Sequence, residues 1–446
     1  MGSDTGLSDL EALYTHIITR VVPGPRSPTY LIPFLLFYVA LCVPPWTLSH
    51  RQLYLTFLPL IYASQIRIAW SDGCMDVISI TLTFWSLVLL FWWNPREKWA
   101  RVWWAEEDSD GKKRIVEERY PENLGRRMLW VLTLLFSARL TGWKVGIESN
   151  DRKQPPPVLS KLAYAKTVVY TVIQGYFILD LTSCYVPTDP YFYTSGMEID
   201  EPFPPPSPDT SDLIVMLRLL PPRLVRCSIL AGEIYGSVKG MFLLPALPLL
   251  ALNALGYWPD HLSPHTWPVF FGNFSAIGER GLRGLWGTWW HGMNRHITAT
   301  HGRGVIDTLD ISSKSTLGYT VIVASAFFFS GLIHTGMIPP YPESSFLSAS
   351  RMRLCIAGFF WGQVPGIGIE TVIAKLAGQY APSLVGWPVS KFLVFVWVTA
   401  WLCLTLPLLP IAFREIGYWH YHAVPVSMLR GLAGEGWLTW RLPFSR

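Results

Sequence analysis

Charge is scarce in this chain. Only 15% of its 446 residues are charged, where a soluble domain carries about a quarter, so much of its surface has to face something other than water. Paired cysteines are missing as well. Cys42, Cys74, Cys184, Cys227, Cys355 and Cys403 are scattered, with no CxxC pair, which favours small hydrophobes in or beside apolar runs over zinc sites or disulfides. The absence of a GxSxG elbow excludes the usual triad hydrolase. The absence of a Walker A loop and of GxGxxG removes the common nucleotide folds. No histidine is followed by Asp four or five residues on, so the motifs of soluble and glycerolipid-type acyltransferases are missing. His291, His296 and His301 are five apart. Five residues is about 140° around a helix, so they are not the one-face pair of HExxH, and no metal site is expected. The net charge of +5 is modest, and basic residues share their loops with acids, as in Arg96 to Arg127. That is no nucleic-acid footprint; an anionic leaflet or an anionic co-substrate suits the basic loops better. No internal repeat is visible, which argues against a two-half transporter.

What the chain has instead is apolar length. Half of its residues are hydrophobic and 22 are Trp, a residue favoured where one end of a ring is apolar and the other wet. Runs that approach the roughly 20 apolar residues of a span lie near Tyr30 to Val43, Leu53 to Ile66, Val77 to Trp93, Met128 to Trp143 and Ala163 to Cys184. Others lie near Cys227 to Tyr257, Leu317 to Met337, Leu354 to Leu376 and Phe392 to Phe413. Several are short or broken by Pro and Gly, as in tilted, bent or re-entrant segments. The fold expected is all-α, a polytopic transmembrane bundle of about eight to ten helices. Residues 1–29 carry acids where a signal peptide would be basic, and their Leu10, Leu13, Ile17, Ile18 and Val21 recur at helical spacing. They read as an amphipathic segment on the membrane surface, with one multi-span domain over 30–446. Polar loops are expected near 94–127, near 187–222 (Pro-rich, irregular) and near 258–316.

Three segments could carry chemistry. In Gly281 to Ile297, Leu282, Leu285, Trp286, Trp289, Trp290, Met293 and Ile297 form one apolar stripe, which predicts a single helix. Its adjacent face holds Gly284, Gly287, His291, Asn294 and Arg295. Glycine inside a helix costs about 1 kcal/mol relative to alanine, so the pair asks for a reason: open space beside His291, or tight interfacial packing. In Phe327 to Pro340 a long apolar run ends in His334 before Gly336 and two prolines stop it. An ionisable residue at membrane depth is a functional-site hypothesis by default, and histidine titrates where proton transfer is useful. In Phe359 to Glu370, Gln363 and Glu370 are nearly two turns apart and share a face. Asp180 is a further intramembrane acid. Each of these polar groups has a purely structural alternative, satisfaction by a neighbouring helix.

Together these segments resemble the wax synthase-like branch of the membrane-bound O-acyltransferases. LWGTWWH, Leu285 to His291, is similar to the family's tryptophan-rich motif, with His291 in the polar place. SGLIHT, Ser330 to Thr335, is similar to its histidine helix, with Thr335 where an acid is usual. FFWGQVPGIGIE and ARLTGW, Ala138 to Trp143, look like two further family helices. The flavour within the branch is that of fungal acetyltransferases of terpenoid and related secondary metabolism. The resemblance implies transfer of an acyl group from acyl-CoA, here acetyl-CoA, to a lipophilic alcohol in the endoplasmic reticulum membrane. His334 would be general base, with His291 beside it. Trp290, Asn294, Arg295, Gln363 and Glu370 would contribute to substrate or coenzyme A binding, with Arg280, Arg283 and Arg303 further candidates for its phosphates. A tunnel through the helices would join cytosol and lipid. No bound cofactor or metal is expected, and no oligomeric state is implied. A long-chain wax or sterol ester synthase and a polytopic transporter are the alternatives.

Overall fold

The structure, a computed structural model, describes residues 28–72, 75–104, 115–137, 139–145, 160–206, 211–243, 246–267, 270–339, 346–384, 388–420, 423–434 and 436–438. The expected N-terminal amphipathic segment, up to residue 27, and Ala138 lie outside them.

The chain is a helical bundle. Helices α1 (Ile32–Cys42), α2 (His50–Asp72) and α3 (Val77–Leu87, continued by a π turn to Trp92) come first. Next come α4 (Leu124–Leu135), α5 (Lys161–Tyr185), α6 (Pro222–Leu243) and α7 (Ala246–Ala254). The second half holds α8 (Ser275–Gly284), α9 (Arg295–Thr308), α10 (Thr316–Thr335), α11 (Ala349–Trp361), α12 (Gln363–Tyr380), α13 (Pro388–Thr405) and α14 (Leu408–Glu415). Five stretches among the described residues are long and apolar enough to cross a membrane: Lys161–Thr188, Pro222–Ala254, Thr316–Thr335, Ala349–Tyr380 and Pro388–Glu415. Thr29–Cys42 and Val77–Trp92 are shorter apolar helices. The protein is an integral membrane protein with a polytopic helical fold.

Local chemistry sets the helix starts. Side chains of Asp76, Asn123, Ser160, Ser315 and Ser348 accept the orphan N–H groups of α3, α4, α5, α10 and α11. Close packing uses small residues. A Cβ on Gly236 of α6 would stand 2.7 Å from Leu179 and 3.1 Å from the Gly175 carbonyl of α5, the glycine-mediated approach that membrane helices favour.

Three regions differ from the sequence reading. Met128 to Trp143 is not a span: α4 ends at Leu135, and positive φ at Leu140 (51°) and Gly142 (74°) turns the chain into a strand. The all-α expectation needs one addition, a small antiparallel sheet of β1 (Ala100–Trp104), β2 (Ile115–Arg119) and β3 (Trp143–Lys144), ordered β2-β1-β3. Ala100 pairs with Arg119 on one side and Lys144 on the other. The Pro-rich stretch after Pro187 is pinned by Arg226 of α6, fully buried like its partner Asp189. Arg226 makes a bidentate pair at 2.8 and 2.9 Å and also donates to the Ile199 and Glu201 carbonyls. The apolar core falls into two main clusters. One gathers α1 to α4 around Trp85, Trp99 and Trp130; the other gathers α6, α11 and α14 around Phe360 and Trp419.

Candidate active site

A cavity of about 2740 Å³ runs between α6, α10, α11, α13 and the segment joining α8 to α9. Tyr319, Ile322, Val323, Ala326, Phe327, Ser330 and His334 of α10 line it, at the spacing of one helix face. The fifteen helical rises from Tyr319 to His334 span about 22 Å. Drug-sized ligands occupy roughly 300–1,000 Å³, so the space admits two substrates at once.

His334 stands in the last turn of α10, with its ring in the cavity wall. Its Nδ1 is 2.7 Å from the Ser330 carbonyl one turn back. A carbonyl can only accept, so Nδ1 carries the hydrogen and Nε2 keeps its lone pair in the neutral ring. Phe360 stacks on the imidazole at 4.2 Å and fixes its plane. Proline-rich sequence and Gly336 end the helix beyond, and a Cβ on Gly336 would collide with the backbone at Asp76 and Val77.

His291 reaches the same cavity by another route. The helix predicted over Gly281 to Ile297 is broken. Gly281 takes φ 62°, ψ −136°; Leu285 to Trp289 form a π turn; Trp290 is extended; α9 begins only at Arg295. The kink at Gly281 has a long-range partner. The Glu370 carboxylate of α12 accepts the Leu282 N–H at 2.6 Å, and a Cβ on residue 281 would overlap it. His291 sits in the break that follows the π turn, against Trp290 at 5.0 Å and stacked on Phe270 at 5.5 Å. Its pKa is lowered to about 4, first by burial, then by the proximity of His334 and Arg139. It is a neutral hydrogen-bonding imidazole at pH 7. The two glycines separate in role: Gly284 packs on the Ala276 carbonyl, whereas Gly287 has open space beside it and lines the cavity.

Trp290, Asn294 and Arg295 line the cavity, as do Arg280, Arg283 and Arg303. Arg295 donates to the Gly287 carbonyl at 3.2 Å, and the Asn294 carbonyl accepts the Thr298 N–H of α9. Gly302 of α9, next to Arg303, abuts Ile322 and Ser325 of α10, about two to three turns before His334. Gln363 and Glu370 are not in the wall. Gln363 is fully buried and accepts from the indole of Trp286, a wall residue, at 3.2 Å while donating to the Phe359 carbonyl and to Thr405. Glu370 pairs with Arg283 at 3.4 Å. Both act one layer behind the cavity, on residues that line it. Asp180 is also spent away from it, on the Leu429 N–H. Sequence reading passed over Glu233, Ser237 and Tyr418, which also line the cavity; Glu233 is a lone acid in an apolar helix, the same signal that singled out His334. Among the described residues no group of three His, Cys, Asp or Glu could hold a metal ion.

Residues 267–362, which carry both histidines, match the model of the membrane bound O-acyl transferase family. The fold and this segment define a helical membrane acyltransferase. Within that class the chain is similar to fungal acetyltransferases. It is 23% identical to Acetyltransferase eriL of Hericium erinaceus over 330 residues, 73% of this chain and 77% of the relative. It is 23% identical to Acetyltransferase AOL_s00215g273 of Arthrobotrys oligospora over 424 residues, 89% of this chain and 80% of the relative. A shorter match, 30% over 159 residues, joins it to Acetyltransferase spyB of Aspergillus fumigatus, covering 32% of this chain and 26% of the relative. No solved structure matches the chain.

Proposed function

We propose that the protein transfers an acetyl group from acetyl-CoA to a hydroxyl of a lipophilic, terpenoid-like secondary metabolite in the endoplasmic reticulum membrane. The observation that carries this reading is the tautomer of His334: one nitrogen committed to Ser330, the other a free lone pair at an apolar-walled cavity. Nε2 takes the proton of the acceptor hydroxyl as its oxygen attacks the thioester carbonyl. The C–S bond breaks, and the leaving thiolate takes the proton back from the imidazolium. Transfer is direct, without an acyl-enzyme, because no nucleophilic Ser or Cys is needed. His291 or Asn294 donates to the oxygen that gains negative charge. Arg280, Arg283, Arg295 and Arg303 receive the phosphates of coenzyme A. Access is through a tunnel, open to cytosol for coenzyme A and to lipid for the alcohol. Residues 30–446 form the catalytic domain.

Purified protein given acetyl-CoA and a lipophilic alcohol is expected to release free coenzyme A and add the mass of an acetyl group to the alcohol. Comparing acetyl-CoA with palmitoyl-CoA on one preparation separates this from a wax or sterol ester synthase. Preference for palmitoyl-CoA would replace the acetyl assignment. Solute flux with no thioester consumed would mark a transporter.

A further inference from the structure

The cavity holds a second set of polar groups, which the transfer chemistry leaves unused. Glu233 lies in apolar helix α6 and is 3% exposed. Trp419 donates its indole N–H to Oε2 at 2.7 Å. A buried ionisable group at membrane depth is costly and calls for a ligand or partner. Ser237, one turn on, and Tyr418 line the cavity beside it. The Tyr418 phenol is within hydrogen-bonding reach of Ser237, and its ring stacks on Phe413 at 5.3 Å. A phenol is protonated at neutral pH, so it stays a donor. Trp419 belongs to the same apolar cluster as Phe360, the ring stacked on His334.

A carboxyl group that accepts, beside a phenol that donates, in a mostly apolar cavity whose lining also includes Arg414, Glu415 and His420, matches a hydroxyl, which does both. We infer that Glu233, Tyr418 and Ser237 form a subsite for a second hydroxyl of the acceptor. The preferred acceptor is then a lipophilic diol, held by one hydroxyl while the other meets His334, and the subsite sets which hydroxyl is acylated.

This inference rests on the acyltransferase reading, and the test separates the two. Full-length protein is assayed with acetyl-CoA and a ladder of α,ω-alkanediols, each against its matched 1-alkanol, with coenzyme A release read as kcat/KM. The wild type is expected to favour the best-fitting diol by about tenfold or more. Glu233→Leu and Tyr418→Phe should each pull that preference down to the statistical factor for two equivalent hydroxyls, with the mono-ol rate within about threefold. Tyr418→Phe leaves the Trp419 bond intact, so a folding defect in the first variant does not decide the outcome. Equal losses on diol and mono-ol, no wild-type preference, or no diol turned over would each overturn the subsite. Activity that survives His334→Ala would instead overturn the reading beneath it.

Discussion

The imidazole of His334 has its proton placed by a carbonyl four residues back, and His291 is kept neutral by burial. Neutrality there has a cost at low pH. In the unfolded chain a histidine titrates near 6.5, whereas His291 and His301 are lowered to about 4, chiefly by burial. The unfolded chain therefore takes up protons first as pH falls. Their contribution to stability is complete above about pH 6.5 and is lost progressively towards pH 4. The thermal midpoint in detergent should drop over that window, and His291→Asn should flatten the drop; an unchanged slope would show that His291 does not titrate this way. At this scale the sequence was readable wherever a polar type stood out against apolar neighbours, as at His334. It was less readable where the neighbours are remote. Nothing local tells that Gln363 and Glu370 serve Trp286 and Leu282 rather than the cavity, and Glu233 was passed over although it met the same criterion.

Among elements, the break between α8 and α9 decides the geometry. The apolar stripe from Leu282 to Ile297 has helical period, so it reads as one helix. What kinks its start is a carboxylate 88 residues later that claims the Leu282 N–H beside Gly281, a contact no local pattern encodes. Three glycine variants separate the roles. Gly281→Ala places a side chain at positive φ and against Glu370, at a cost of about 1 kcal/mol or more, so folded yield and thermal midpoint should fall. Gly284→Ala should behave alike, since it meets the Ala276 carbonyl. Gly287→Leu has room; it should fold normally but narrow the cavity, lowering kcat/KM for bulky acceptors more than for slim ones. A Gly287→Leu enzyme with an unchanged acceptor profile would remove that residue from the acceptor path.

On the scale of the molecule, membrane residence and helical architecture were legible because they follow from composition and apolar run length. The small sheet and the ordering of the Pro-rich stretch were not, because both depend on pairings across the fold. Asp189 and Arg226 are the clearest case: 37 residues apart and both fully buried. Breaking a buried pair leaves one charge uncompensated, which costs about 3–5 kcal/mol. Asp189→Asn should therefore lower the thermal midpoint and the yield of detergent-stable protein; an unaffected midpoint would mean the pair does not hold that segment.

All of the proposed chemistry turns on one nitrogen. His334→Ala, produced in membranes at the wild-type level and with a similar thermal midpoint, is to be compared with wild type for coenzyme A release from acetyl-CoA in the presence of a lipophilic alcohol. General-base catalysis at Nε2 predicts a fall of at least about a hundredfold. Full coenzyme A release from the variant would contradict it.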